Sequence, residues 1–326
     1  MKIAVTGSVA TDYMMSFPGK IADSIVVDSL EKISLSFLVN NLEVRRGGTG
    51  ANISFGMGVL GGSPVLIAAV GEDFTDYNSW LTRHGVDTTE LYISQTQLTA
   101  RFTVTTDEAL NQIASFYPGA MSEARNIELG PIFKSRNGFD LVLIAPDDPE
   151  AMLRHTEECR QHKVPFAADI SQTLASLDGE SIRNLLVGAK YSFLNEYEMA
   201  LAMQKTGWDK RDFLDNVEIC ITTLGSKGAQ IESHSFETIT VGVAKERSKV
   251  DPTGIGDAFR AGFLSALGWG LELKECAEVG SMVATYCLET QGGQEYRFTR
   301  QQFIERFAES YGQKSGEQVA ERLTIS

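Results

Sequence analysis

The segment Asp251-Pro252-Thr253-Gly254-Ile255-Gly256-Asp257-Ala258-Phe259 has the residue types and spacing of a reaction centre. Phe259, Phe263 and Leu267 recur at every fourth residue, which predicts a helix with one buried stripe. Gly254 and Gly256 stand at its start. Without Cβ atoms they let backbone N–H groups approach a ligand closely. The first turn of a helix also carries unpaired donors and about half a positive charge. A phosphate fits there without any Lys or Arg. Asp257 lies in the same turn, where a carboxylate can take the proton of an alcohol as a phosphoryl group moves onto it. A plain helix cap is the other reading: Thr253 or Asp257 caps and the glycines form a turn. Local physics leaves both open.

Such a helix tip needs a scaffold. Short apolar runs closed by Gly, Pro, Asn or Asp predict strands at residues 2–6, 64–70, 140–145, 165–169, 189–194 and 217–223. Helical spacing fills 150–162, 178–187 and 196–205. The first of these helices has a clear start, with Asp148 as N-cap, Pro149 at the first position and Glu150 at the positive end of the dipole. Continuously apolar strands alternating with helices predict an α/β fold whose mostly parallel sheet is covered on both faces. Two regions break the alternation. Residues 17–46 include Lys32-Ile33-Ser34-Leu35-Ser36-Phe37, and 91–116 include Ala100-Arg101-Phe102-Thr103-Val104-Thr105. Their period of two predicts half-exposed antiparallel strands. They are read as one small β-sheet lid, formed by about 13–46 and 91–118, on a single domain covering 1–326. The last third, from Thr253, is expected to be mostly helical.

Composition narrows the partners. The chain has 326 residues, 29 basic and 43 acidic, for a net charge of −14. That acidity argues against nucleic acid and anionic membrane as partners. A chain this long buries about 75% of its unfolded surface and needs no disulfide or metal staple. Cys159, Cys220, Cys276 and Cys287 are dispersed, with no C-x-x-C pair, and read as reduced buried thiols. The short apolar start does not read as a signal peptide, and no run of 18 apolar residues occurs, so a cytoplasmic location is expected. Gly56-Met57-Gly58-Val59-Leu60-Gly61 fits G-x-G-x-x-G but lies within an expected helix and precedes a strand, so helix packing explains it better than a dinucleotide. No G-x-x-x-x-G-K-[ST] is present.

The segment 251–259 resembles the C-terminal signature of the ribokinase-type (PfkB) carbohydrate kinases. Gly47-Gly48-Thr49-Gly50-Ala51-Asn52 resembles their N-terminal signature, Asn195-Glu196-Tyr197-Glu198 their N-x-x-E motif, and Thr222-Thr223-Leu224-Gly225-Ser226-Lys227-Gly228 their nucleotide loop. Within that family, residues 32–39, Ala114-Ser115-Phe116-Tyr117-Pro118-Gly119-Ala120-Met121 and Asp148-Pro149-Glu150-Ala151-Met152 are similar to bacterial adenosine kinases.

The resemblance implies a ribokinase-like three-layer α/β/α fold and ATP-dependent phosphorylation of the adenosine 5′-hydroxyl. Ribose, another nucleoside or another sugar is the alternative acceptor, and a binding protein without turnover is a third reading. Asp257 becomes the catalytic base, with Gly254, Ile255 and Gly256 as anion hole. Asp12 becomes the ligand of the sugar diol, a role that competes with plain turn formation. Gly48 and Asn52 join it, although Asn52 also suits a helix cap. Phe102 and Phe116 become stacking platforms for a base rather than lid core, and Ser8, Ser36 and Gln172 hydrogen-bonding partners of the nucleoside. Asn195, Thr223, Gly225 and Gly228 are assigned to ATP, and Glu198 to Mg²⁺ through water; Asn195 and Glu198 also fit a capping box. Lys227 reads equally as a phosphate ligand or a solvated lysine. K⁺ is a further ion the family responds to, with Asp251 as contributor. A projecting sheet with open edges predicts a homodimer through the lids.

Overall fold

The computed structural model describes residues 1–24, 35–323 and 325. Residues 3–6 show how its core is divided. Ile3 and Val5 belong to one apolar cluster and Ala4 to another; Leu141 and Leu143 join the first, Val142 and Ile144 the second. Successive side chains on a strand point to opposite faces, so the sheet is buried on both sides and its strands read as unbroken apolar runs.

The strands are β1 (Ile3–Thr6), β2 (Ala10–Ser16), β3 (Asn41–Gly47), β4 (Val65–Ile67), β5 (Ala69–Gly71), β6 (Tyr92–Ser94), β7 (Ala100–Thr106), β8 (Gln112–Tyr117), β9 (Leu141–Ile144), β10 (Phe166–Asp169), β11 (Ala189–Asn195), β12 (Val217–Thr223), β13 (Ala229–Ser233) and β14 (Phe236–Val241). The helices are α1 (Thr49–Val59), α2 (Thr75–Arg83), α3 (Leu129–Ser135), α4 (Pro149–Gln161), α5 (Gly179–Leu186), α6 (Glu196–Thr206), α7 (Lys210–Asn216), α8 (Ile255–Gly268), α9 (Leu273–Leu288), α10 (Arg300–Tyr311) and α11 (Gln313–Ala320). The central sheet runs β14-β13-β12-β11-β10-β9-β1-β4. It is parallel from β12 to β4, and β13 and β14 add an antiparallel edge. This is the expected three-layer α/β/α arrangement. Asp148 caps α4 by accepting from the Ala151 N–H, with Pro149 at the first position. The four cysteines are free and buried, and burial pushes the Cys159 thiol up to about 12.

A second sheet, β3-β2-β7-β8, stands on the body. Three details differ from the sequence reading. Its central pair, β2 and β7, is parallel, so the sheet is not purely antiparallel. Its first strand begins at Ala10, before residue 13. The alternation at 32–37 does not make a strand where it can be followed. Lys32 to Ser34 lie outside the described residues, and Leu35 to Phe37 have no regular structure; the Phe37 ring packs on Phe17 with centroids 4.9 Å apart. The strand comes later, as β3. The run 64–70 also splits, because β4 joins the central sheet whereas β5 pairs with β6.

The G-x-G-x-x-G pattern is explained by packing. A Cβ on Gly56 would lie 2.6 Å from the Ala261 Cβ, so this glycine lets α1 press against α8.

Candidate functional site

Gly254 caps α8 in the left-handed region, with φ of 78°, and a Cβ there would come within 2.9 Å of the Gly293 Cα. Only glycine meets both demands without strain. The tip it opens separates two cavities. Gly254 and Asp257 line one, of about 510 Å³; Ile255 and Gly256 line the other, of about 500 Å³. A group transferred from one cavity to the other must pass this tip, where the free N–H donors of the first turn favour an anion.

One row of lid residues forms much of the first cavity's wall. The strand register sets Arg45 opposite Asp12, Asp12 opposite Phe102, and Phe102 opposite Phe116. Directly paired residues share one face of a sheet, and all four line the cavity. Opposite them, Gly48 holds a φ of 91° that turns β3 into α1, and Asn52 follows on the first turn of that helix. The Asn52 Nδ2 donates to the Asp257 Oδ2 at 2.8 Å. Ser8 and Gln172 also line this cavity. The Ser8 Oγ accepts from the Thr49 N–H at 3.1 Å, and the Gln172 Nε2 lies 3.5 Å from the Thr49 Oγ1. Burial pushes both acids up: Asp257 to about 6, against the opposing pull of Arg260 and the Asn52 hydrogen bond, and Asp12 to about 6, against Arg45. An acid of this kind is ionised at neutral pH yet takes a proton readily.

Asn195, Thr223, Gly225 and Gly228 line the second cavity. Asn195 and Glu198 form a full capping box on α6, with both bonds at 2.8 Å. Capping engages Glu198 Oε2, and burial raises its carboxyl. The described residues contain no cluster of three acidic, His or Cys side chains suited to a metal. A single carboxylate such as Glu198, beside phosphates and water, is the kind of donor Mg²⁺ takes, since it keeps several waters and few carboxylates.

Ser36 is exposed, lies in the irregular segment before β3, and does not line the first cavity. The Lys227 side chain is 73% exposed and 3.7 Å from Glu196, as a surface lysine would be. Asp251 accepts from the Thr253 and Gly292 N–H groups and meets the Arg45 guanidinium at 3.0 Å, so its carboxylate already faces a cation. Sequence reasoning missed Arg45 and Arg260. Arg260 is buried one turn beyond Asp257, with its Nε 2.5 Å from the Asp169 Oδ2. A charged residue on the otherwise apolar stretch 258–264 was the available signal.

The profile of the pfkB family carbohydrate kinases matches residues 16–298. The nucleoside kinase of Burkholderia thailandensis, solved with inosine, is 31% identical, with a TM-score of 0.82 over 95% of this chain and 98% of that one. The nucleoside kinase of Methanocaldococcus jannaschii is 28% identical over 94% of this chain and 96% of its own length. A ribokinase of Thermotoga maritima shares the fold at 21% identity, with a TM-score of 0.76 over 95% of this chain and 100% of that one.

Proposed function

Because the chain belongs to the pfkB family of carbohydrate kinases, and is therefore a phosphotransferase with an alcohol as acceptor, we propose that its acceptor is a nucleoside, adenosine foremost, phosphorylated on the 5′-hydroxyl by ATP. One observation carries this reading: the first cavity has a polar end at Asp12, Asn52 and Asp257 and an aromatic wall at Phe102 and Phe116. Its volume of about 510 Å³ leaves room for a base beside a pentose. Asp12 would take the 2′/3′ diol, since a carboxylate accepts from both hydroxyls. The base would stack on Phe102 and Phe116, with Ser8 and Gln172 at its polar edge. Asp257 would then lie at the 5′-oxygen and take its proton, while the Gly254–Gly256 N–H groups hold the charge of the moving phosphoryl group. ATP would fill the second cavity against Asn195, Thr223, Gly225 and Gly228. Mg²⁺, held through water by Glu198 and Asn195, would offset the phosphate charge. Arg45 already supplies a fixed cation at Asp251, so turnover is expected without added K⁺.

ADP-release assays over adenosine, inosine, cytidine and ribose test the acceptor. The highest kcat/KM is expected for adenosine, and ribose outperforming every nucleoside would overturn the reading. Another purine nucleoside is the second reading, favoured by the inosine bound to the Burkholderia enzyme.

The lid sheet ends at β3 and β8, which expose Leu42, Val44, Ile113 and Tyr117. Unpaired edges with apolar side chains favour pairing with a second copy, and a homodimer through the lids is part of the proposal. A monomer in sedimentation at micromolar concentration would remove it. No helix among the described residues is long and apolar enough to cross a membrane, and a cytoplasmic location is proposed with the rest.

A further inference from the structure

Behind Asp257 runs a chain of buried polar groups whose direction is set at its far end. The Tyr77 hydroxyl donates to the Gly47 carbonyl oxygen at 2.8 Å. A carbonyl can only accept, so the Tyr77 oxygen is left as an acceptor. Gln294 meets it with its side-chain amide nitrogen, and the same nitrogen donates to the Asn52 Oδ1 at 2.8 Å. The Asn52 amide nitrogen is thereby turned toward Asp257, where it donates to Oδ2. Gln294 and Tyr77 are 1% and 6% exposed, so no water can reverse the sequence cheaply. The Gln294 Oε1 is buried without a partner, a cost that its amide carries in this orientation.

We propose that Gln294 is a positioning residue for Asp257: anchored by Tyr77, it holds the Asn52 amide with its N–H toward the carboxylate, so that Asp257 stays ionised with Oδ1 left for the acceptor proton. This rests on the reading of Asp257 as base, not on which alcohol is the acceptor. The opposite Asn52 orientation would aim a carbonyl oxygen at the carboxylate and favour its protonated form. Other groups also act on Asp257. Arg260 faces it from α8, Asp169 from β10 and Glu198 from α6; Asp12, Arg45, Arg46 and Asp147 line the same cavity. Asp251 stands beyond Cys287, and burial keeps Tyr77, Tyr296 and Cys287 protonated. A neutral substitution in the chain changes none of these charges.

The test is the pH profile of kcat for wild type, Gln294→Met, Tyr77→Phe and Gln294→Glu, each with the best alcohol acceptor of the wild type. Gln294→Met and Tyr77→Phe should lower kcat by about 10-fold and move the acidic limb upward by about half a pH unit to one unit, with the KM for ATP unchanged. Gln294→Glu, which cannot donate to Asn52 once ionised, should lose about 100-fold and move the limb furthest. Losses of equal size with the limb at its wild-type pH would reduce Gln294 to a packing role and overturn the proposal. If Gln294→Glu does not fold, the two neutral variants decide alone. Asp257→Asn is the control: full turnover in that variant would end the base reading, whereas an inactive Asp257→Asn with an unmoved limb in the others would end only the Gln294 proposal.

Discussion

The two cavities that meet at the α8 tip are almost equal in volume and unlike in construction. The first cavity, proposed for the acceptor, carries buried carboxylates: Asp12, Asp147 and Asp257 all line it, and burial raises all three. The second cavity, proposed for the nucleotide, is lined by many small residues, among them Gly225, Gly228, Ala244 and Ala284, with Glu246 and Lys249 as its charged lining. On the proposed function, the difference locates selectivity in the first cavity. A wall of backbone and small residues recognises shape and phosphate, whereas buried carboxylates and aromatic faces discriminate among acceptors, because a mismatched polar group there is left unpaired.

Substitutions can break that contrast. Asp257→Asn should lower kcat by about 10²- to 10⁴-fold with acceptor KM nearly unchanged; a loss carried by KM instead would make Asp257 a binding residue. Asp12→Asn should raise the KM for the acceptor by about 10- to 100-fold and leave the KM for ATP unchanged, as steady-state kinetics would measure. A parallel rise for ATP would mean that the two cavities act as one. Phe102→Ala should weaken nucleosides by about 1–3 kcal/mol while sparing ribose, which a comparison of the two KM values reads directly.

The smallest effect concerns stability. Burial pushes the Asp147 carboxyl up to about 8, against the hydrogen bond it accepts from the Asp148 N–H. Between about pH 4, where an unfolded Asp titrates, and about pH 8, the folded chain keeps a proton that the unfolded chain has lost. Wild-type stability therefore falls as pH rises across that window. Asp147→Asn can still accept from the Asp148 N–H and should remove the fall, so that its melting temperature exceeds that of wild type at pH 8 and matches it near pH 4. Equal melting temperatures at both pH values would show that Asp147 ionises without cost.

The same contrast decides what was legible. The glycine-opened start of α8 could be read because its residues are adjacent in the chain. The lid was less legible. Its strand β3 carries exposed Leu42 and Val44 beside charged Glu43 and Arg45, while the cleaner alternation at 35–37 formed no strand. Gln294 had no local signal, since it acts on Asn52 242 positions away; Arg45 pairs with Glu43 nearby, but the contact with Asp251 spans 206 positions.

Local composition alone determined the apolar strands, the helix caps at Asp148 and Asn195, and the glycine-opened start of α8, because each depends on backbone geometry and near neighbours. Tertiary structure decided the rest. Only the lid register aligns Arg45, Asp12, Phe102 and Phe116 in one row, and only the packing of α1 against α8 brings Asn52 to Asp257. Contacts between distant segments arise when strands pair and helices bury their stripes, and no window along the chain contains both partners.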